Sequence, residues 1–234
     1  MAFILVLILL PPIEVGCAAI STPRTMSLML RKVVLKKSER QRGAWQSVSW
    51  TGIENVSPYF LHAALVGEDR KFFYHNGFDW QSIKAAIYES VRRRRPPHGA
   101  STITQQCARS LFLWQGRSWI RKGLEAYYTV WMELLLSKRR ILELYVNVIE
   151  LGEGIYGIEA AAQHYYGKAA KDLSREEAAM LAAILPAPKR WNPLQPNELV
   201  KQRQQLILSH IGEVRLPWEP PMKTAQPAAQ PTPQ

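Results

Sequence analysis

The sequence predicts a mainly α fold. From about residue 57 onward, apolar residues recur at the three- and four-residue spacing of a buried helix face. Cap residues open the stretches that hold them, and glycine, proline or a run of charge closes them. No convincing run of strands and no internal repeat interrupts this pattern.

The elements follow in chain order. Residues 1–13, MAFILVLILLPPI, are apolar but interrupted by Pro11-Pro12. Extension to Ile20 adds only one charge, Glu14, and reaches the ~20 residues of a membrane span. No Lys or Arg precedes it to fix an orientation or to open a signal peptide. A membrane anchor, a signal peptide and an anchor clipped by a misplaced start codon compete here, and the anchor over 1–20 is preferred. Cys17 after Val15-Gly16 faintly resembles a lipoprotein cleavage site, but Glu14 stands where an aliphatic residue is wanted. A linker over 21–55 follows, with Arg31, Lys32, Lys36 and Lys37 clustered in it.

Ser57-Pro58 reads as an N-cap followed by proline at the first helical position, opening a helix to about Gly67. A second helix starts after Asp79, with Ile83, Ile87 and Val91 on one face, and stops at Arg92–Arg95 before Pro96-Pro97. A third runs from near Thr104 to Trp114, and the longest from about Trp119 to Val148. A fifth opens with the capping box Ser174–Glu177 and ends at Pro186. A sixth spans about Glu198 to Ile211. The expected catalytic domain is 56–213. The remainder, 214–234, is rich in Pro, Ala and Gln and is expected to be disordered.

Composition narrows the partners. The chain has 234 residues and a formal net charge of +11, which calls for an anionic partner: nucleic acid, a membrane surface or a phosphate-bearing substrate. Eight tryptophans suit a membrane interface or sugar faces as well as plain core packing. Two cysteines exclude a disulfide framework, and no Cys/His cluster offers a zinc site.

Four clusters carry the chemistry. In Glu68–Asp79, three acids, bases and His75 interleave with aromatics where one helix ends and the next has not begun. Aromatics can exclude water and raise a carboxylate pKa, while Arg70 and Lys71 would lower it, the opposition that tunes a general base. A solvated helix end with local salt bridges explains the same residues. In Gly99–Gln106, hydroxyls and amides enter a helix N-terminus, a favourable place for an anion. A capped helix start accounts for Ser101 or Thr102 but not for Gln105 and Gln106 together. Arg121 and Lys122 precede Glu125 by four and three residues and share its helix face, either to hold a diphosphate, with or without a metal, or as an intrahelical salt bridge. Glu133, Ser137, Lys138, Arg139, Arg140, Glu143 and Asn147 follow on the same stretch. The last cluster, Gly152–Gly157 and Tyr165–Lys168, combines a glycine turn with tyrosines that suit either a sugar or the core.

Over about Val56–Pro193 these clusters resemble the peptidoglycan glycosyltransferase family, the transglycosylase domain of monofunctional enzymes and class A penicillin-binding proteins. EDRKFFYHNGFD is similar to the family's first motif, GASTITQQ to its second, and RKGLE with the SK and ILELYVN stretches to its third and fourth. AAQHYYGK and LPAPKRWNP are similar to its closing motifs. The resemblance implies a lysozyme-like domain whose apolar face dips into the membrane. It implies Glu68 as general base and Glu125 as the second catalytic acid on the donor side. Substrate contacts are then expected from Asp69, Arg70, Phe72, His75, Ser101, Thr102, Gln105, Gln106, Arg109, Arg121, Lys122, Glu133, Ser137 and Lys138. The second motif usually continues with Lys-Asn. Here it reads Arg109-Ser110, which keeps the charge but replaces a point charge with a planar fork.

The resemblance further implies a single-pass protein of the cell inner membrane, with its catalytic domain in the periplasm. Its partners would be lipid II, the growing glycan strand and membrane lipid, with penicillin-binding proteins and divisome components as protein partners. No cofactor is required, and a divalent cation, Mg²⁺ or Mn²⁺, is the one candidate, near Glu125. No Ser-x-x-Lys, Ser-x-Asn and Lys-Thr-Gly set follows Pro193, so no transpeptidase activity is expected. A lytic glycoside hydrolase and a non-catalytic scaffold of the wall-building machinery are the competing readings. Nucleic acid is set aside because no recognition motif is present.

Overall fold

The computed structural model describes residues 2–22, 50–93, 99–114, 116 and 118–218. Along these run nine α-helices: α1 (Ala2–Ile20), α2 (Pro58–Glu68), α3 (Trp80–Arg93), α4 (Ile103–Phe112), α5 (Trp119–Leu135), α6 (Lys138–Val148), α7 (Ile158–Tyr166), α8 (Arg175–Ile184) and α9 (Glu198–His210). One short antiparallel hairpin, β1 (Glu150–Gly152) and β2 (Ile155–Tyr156), joins α6 to α7. The expected mainly α class holds. The basic cluster Arg31–Lys37, Arg94 and Arg95, and the end of the chain from residue 219 lie outside the described residues.

Helix α2 is the centre. Every residue from Phe60 to Val66 is buried, as a helix must be when it is covered on all sides. It packs against α8 and α9, while α4 packs against α5 and α6. At its C-terminal end α2 hands over to Glu68, half-buried, and Asp69, buried. Helix α3 is the opposite case. It buries none of its own residues, and Trp80, Ile87, Tyr88 and Val91 stand exposed.

Several boundaries differ from expectation for local physical reasons. The long helix expected over Trp119–Val148 is two helices. Leu136 turns extended, and Ser137 restarts the chain as the N-cap of α6, its hydroxyl accepting Arg140 N–H at 3.2 Å. Ser57 does not cap α2 through its side chain; its hydroxyl donates to Leu173 O at 2.9 Å and ties α2 to the segment before α8. The Ser174–Glu177 capping box forms as expected. Val214 and Leu216 are buried and Trp218 packs edge-on against Phe73 at 5.8 Å, so the ordered fold runs past residue 213.

Helix α1 continues through Pro11 and Pro12. Its C-terminal half packs against α5, with Val15 and Ala18 fully buried. Tyr128 donates its hydroxyl to Glu14 at 2.5 Å, and Arg140 caps the end of α1 through Ala18 O and Ser21 O. Among the described residues no helix is long and apolar enough to cross a membrane. The expected span over 1–20 is therefore not recovered as such: the half that carries the charge of Glu14 is docked on protein.

The turn into α7 depends on Gly157. Its φ is +84°, and a Cβ there would lie 2.8 Å from Asn147 O. Asn147 is itself fixed, its side-chain amide bonding both N–H and C=O of Thr51 at 2.8 Å. Gly157→Ala is expected to cost on the order of 1–3 kcal/mol. A denaturation midpoint unchanged from that of the parent chain would contradict this account.

Candidate active site

An open cleft of about 260 Å³ lies at the C-terminus of α2, lined by Glu68, Asp69, Arg70, Lys71, Asp79, Ser82 and Gly99–Thr102. Glu68 stands on its wall with the side chain only 13% exposed. Gln106 Nε2 of α4 donates to Glu68 Oε2 at 2.9 Å, and Arg203 Nη2 of α9 donates to Oε1 at 2.9 Å. Burial pushes the Glu68 carboxyl above its ordinary range, against the opposing pull of Gln106, Arg203 and Arg109. The groups that restrain it are thus on α4 and α9. Arg70 and Lys71, expected in that role, are engaged elsewhere, with Val66 O and Glu213 and with Gln81.

From Glu68 a line of polar contacts runs to Glu125. Gln106 Nε2 also lies 3.4 Å from Ser101 O, and Lys122 Nζ lies 3.4 Å from Ser101 Oγ. Lys122 then pairs closely with Glu125 Oε1, and Arg121 Nη1 donates to Glu125 Oε2 at 3.0 Å. Glu125 is buried, with 1% of its side chain exposed, and Arg121 is almost as deep, but the Lys122 side chain is 43% exposed. A buried carboxylate with both oxygens engaged by cations is a fixed charge. A half-exposed ammonium beside it is free to take a second anionic partner.

The remaining predicted site residues divide between frame and rim. Asp69 Oδ2 accepts Ile103 N–H at 3.0 Å, and Asp69 accepts His75 Nε2–H at 3.0 and 3.1 Å. His75 Nδ1 accepts Gly77 N–H at 3.1 Å, which places the ring proton on Nε2. Lys138 donates to His75 O at 2.7 Å and to Glu133 Oε1 at 2.8 Å, and sits over the buried Phe72 ring at 4.5 Å. Thr104 completes Glu133 at 2.6 Å. Thr102 and Gln105 form a capping box on α4, and Thr102 Oγ1 donates to Gly77 O at 2.7 Å. These residues hold the Glu68 loop onto the N-terminus of α4. The capped-helix reading therefore accounts for Thr102 and Gln105, and leaves Ser101 on the cleft wall and Gln106 turned to Glu68. Arg109 is exposed on α4, and Ser137 serves as the α6 cap.

Two residues of the site were not legible. The Tyr145 hydroxyl donates to Gln106 Oε1 at 3.3 Å, so it sets which end of that amide meets Glu68. Its sequence signal, an aromatic at helical spacing in α6, is indistinguishable from a core position. Arg203 lies in a charged stretch of α9 with no local mark at all.

The comparisons with known proteins agree with this geometry. A family model described as Transglycosylase matches residues 34–212. A "Biosynthetic peptidoglycan transglycosylase" of Acinetobacter baumannii (strain ATCC 17978) is 46% identical over 168 residues, 72% of this chain and 75% of that protein. The protein of the same name from Yersinia pseudotuberculosis serotype O:1b (strain IP 31758) is 45% identical over 184 residues, 75% of this chain and 76% of its own. One from Yersinia pestis (strain Pestoides F) matches to the same extent. With the family model spanning most of the chain and relatives of about 45% identity covering about three quarters of it, this chain belongs to the transglycosylase family of glycosyltransferases.

Proposed function

We propose that the enzyme builds peptidoglycan by polymerising lipid II into β-1,4-linked glycan strands, releasing undecaprenyl diphosphate with inversion at the sugar. The observation that carries this reading is the line of contacts from Glu68 through Gln106, Ser101 and Lys122 to Glu125. It puts a desolvated carboxylate on the cleft wall and a half-exposed cation behind Ser101 of the same wall. Transfer from an α-linked diphosphate to a β-linked product is a single in-line displacement. The acceptor hydroxyl gives its proton to Glu68 as its oxygen bonds to the donor's anomeric carbon. The bond from that carbon to the diphosphate oxygen breaks, and its electron pair leaves with the diphosphate. Lys122 meets the developing charge, while Glu125 and Arg121 hold the ammonium in place.

The residues around Glu125 do not fit a resident divalent cation. Both of its oxygens are taken by Lys122 and Arg121, and among the described residues no three His, Cys, Asp or Glu side chains are grouped to hold a metal. The proposed steps therefore use none. The exposed apolar side chains of α3, with Trp119 and Ile120 at the start of α5, support contact with membrane lipid at the outer face of the inner membrane.

Labelled lipid II is expected to be converted to long glycan strands. Moenomycin, the inhibitor that the family resemblance implies, should block the reaction, and thorough chelation should leave it undiminished. Cleavage of finished peptidoglycan with lipid II untouched would instead establish the lytic hydrolase reading. A loss on chelation restored by Mg²⁺ or Mn²⁺ would show that a cation serves the diphosphate.

A further inference from the structure

We propose that Arg203 is a positioning residue of the transfer reaction: carried in on α9, it holds the Glu68 carboxylate ionised and fixes which of its oxygens is left to the acceptor. The inference rests on the reading of Glu68 as the base. Arg203 Nη2 donates both to Glu68 Oε1 at 2.9 Å and to Gly67 O at 3.0 Å. One guanidinium therefore grips the carboxylate and the backbone that presents it. The grip needs α9 to come close. A Cβ on Gly67 would lie 3.3 Å from Ile207 Cδ1, which would have to give by a few tenths of an ångström, and at an ordinary 3.8 Å from Arg203 Nη2, so α9 lies close against this part of α2.

The charged and titratable groups facing Glu68 are few. From α4 come Gln106, a neutral donor, and Arg109, exposed and acting only through its charge. From α6 comes Tyr145, which burial keeps as the neutral phenol. Asp69 follows Glu68 in the chain but is committed to Ile103 N–H and His75. Helix α8, packed on α2, buries alanines and larger apolar residues. Arg203 is thus the one cation among these groups in direct contact with the carboxylate. Burial alone would keep Glu68 protonated further up the pH scale, where it cannot act as a base. An opposite charge in contact reverses part of that. With Arg203 holding Oε1, the oxygen that Gln106 shares, Oε2, is the one that an acceptor hydroxyl can reach by displacing a neutral amide.

The pH dependence of kcat/KM for lipid II polymerisation tests this, because its acid limb reports the base in the free enzyme. Arg203→Gln is expected to move that limb upward by about one unit or more, the effect of losing an adjacent opposite charge. Well below the limb this appears as a roughly tenfold loss per unit, and it shrinks at higher pH. Arg203→Lys keeps the charge but not the fork, so its limb should fall between those of Arg203→Gln and the parent. Lys201→Gln removes an exposed charge from the same helix and should leave the limb in place. A uniform loss at every pH in Arg203→Gln, with the limb unmoved, would overturn the proposal and leave Arg203 a structural tie. Should Arg203→Gln fail to fold, Arg203→Met, which also removes the charge but keeps the bulk of the stem, carries the test: an upward step supports the proposal and an unmoved limb overturns it. Glu68→Gln, assayed alongside, keeps the two readings distinguishable. Activity retained there removes the base assignment itself, whereas activity lost there with an unmoved limb in Arg203→Gln removes only the role of Arg203.

Discussion

Glu68→Gln is expected to lower turnover by at least about 10²-fold, the smallest contribution typical of a well-placed general base, while substrate binding is retained. A factor of that size is about 2.7 kcal/mol of transition-state stabilisation. The substitution keeps the shape of the side chain and most of its surroundings. Its carbonyl can still accept from Arg203, which now donates to Glu68 Oε1. Its amide nitrogen then faces Gln106 Nε2, a donor against a donor, because Tyr145 already occupies Gln106 Oε1. Gln106 must shift by one hydrogen bond, a local change at the cleft wall. Single-turnover transfer and direct binding of lipid II separate the two quantities. If the variant kept more than about a tenth of wild-type turnover, against the ~10²-fold minimum, Glu68 would not be the base.

Glu125→Ala is expected to act on stability first and on activity as a consequence. The side chain is 1% exposed and is the partner of Arg121, whose own side chain is 9% exposed. Removing one member of such a buried pair leaves the other charge uncompensated, at a cost of about 3–5 kcal/mol. Lys122, half in solvent, can turn outward at little cost, whereas Arg121 cannot. Replacing both members, in Glu125→Leu with Arg121→Leu, removes the stranded charge and should recover most of the lost stability, since apolar pairs of similar volume commonly substitute well. The double variant should nevertheless stay inactive, because Lys122 then loses its carboxylate partner and keeps only the 3.4 Å contact with Ser101. Urea denaturation of the single and double variants, read beside lipid II turnover, checks both parts. A double variant as unstable as the single one would show that Glu125 does more in the fold than neutralise Arg121.

The two glutamates illustrate what kind of information a sequence holds. Glu125, Arg121 and Lys122 are legible as one unit because helical spacing puts residues three and four apart on a single face, and the structure pairs them so. The Ser174–Glu177 box is legible for the same reason. So, in principle, is Thr102–Gln105, where the same four-residue pattern marks Gln105 as a cap and leaves Gln106 as the side chain directed at Glu68. The break at Leu136–Ser137 was also within reach, since serine before a charged turn is a cap signal, but uninterrupted apolar periodicity overrode it.

By itself, then, the sequence determined the helical class, the Ser174–Glu177 cap, the family motifs and the grouping of Glu125 with Arg121 and Lys122. The tertiary structure alone decided that Asp69 and His75 brace the start of α4, that Lys138 ties the loop after α2 to α6 through His75 O, that half of α1 docks on α5, and that Arg203 reaches Glu68. The physical reason is range. Periodicity and capping are set by hydrogen bonds and contacts within a few residues, and any window of sequence displays them. Glu68 and Arg203 meet only because α9 lies against α2 over the bare backbone of Gly67, and that approach is a property of how whole helices pack, which no short window of either helix contains.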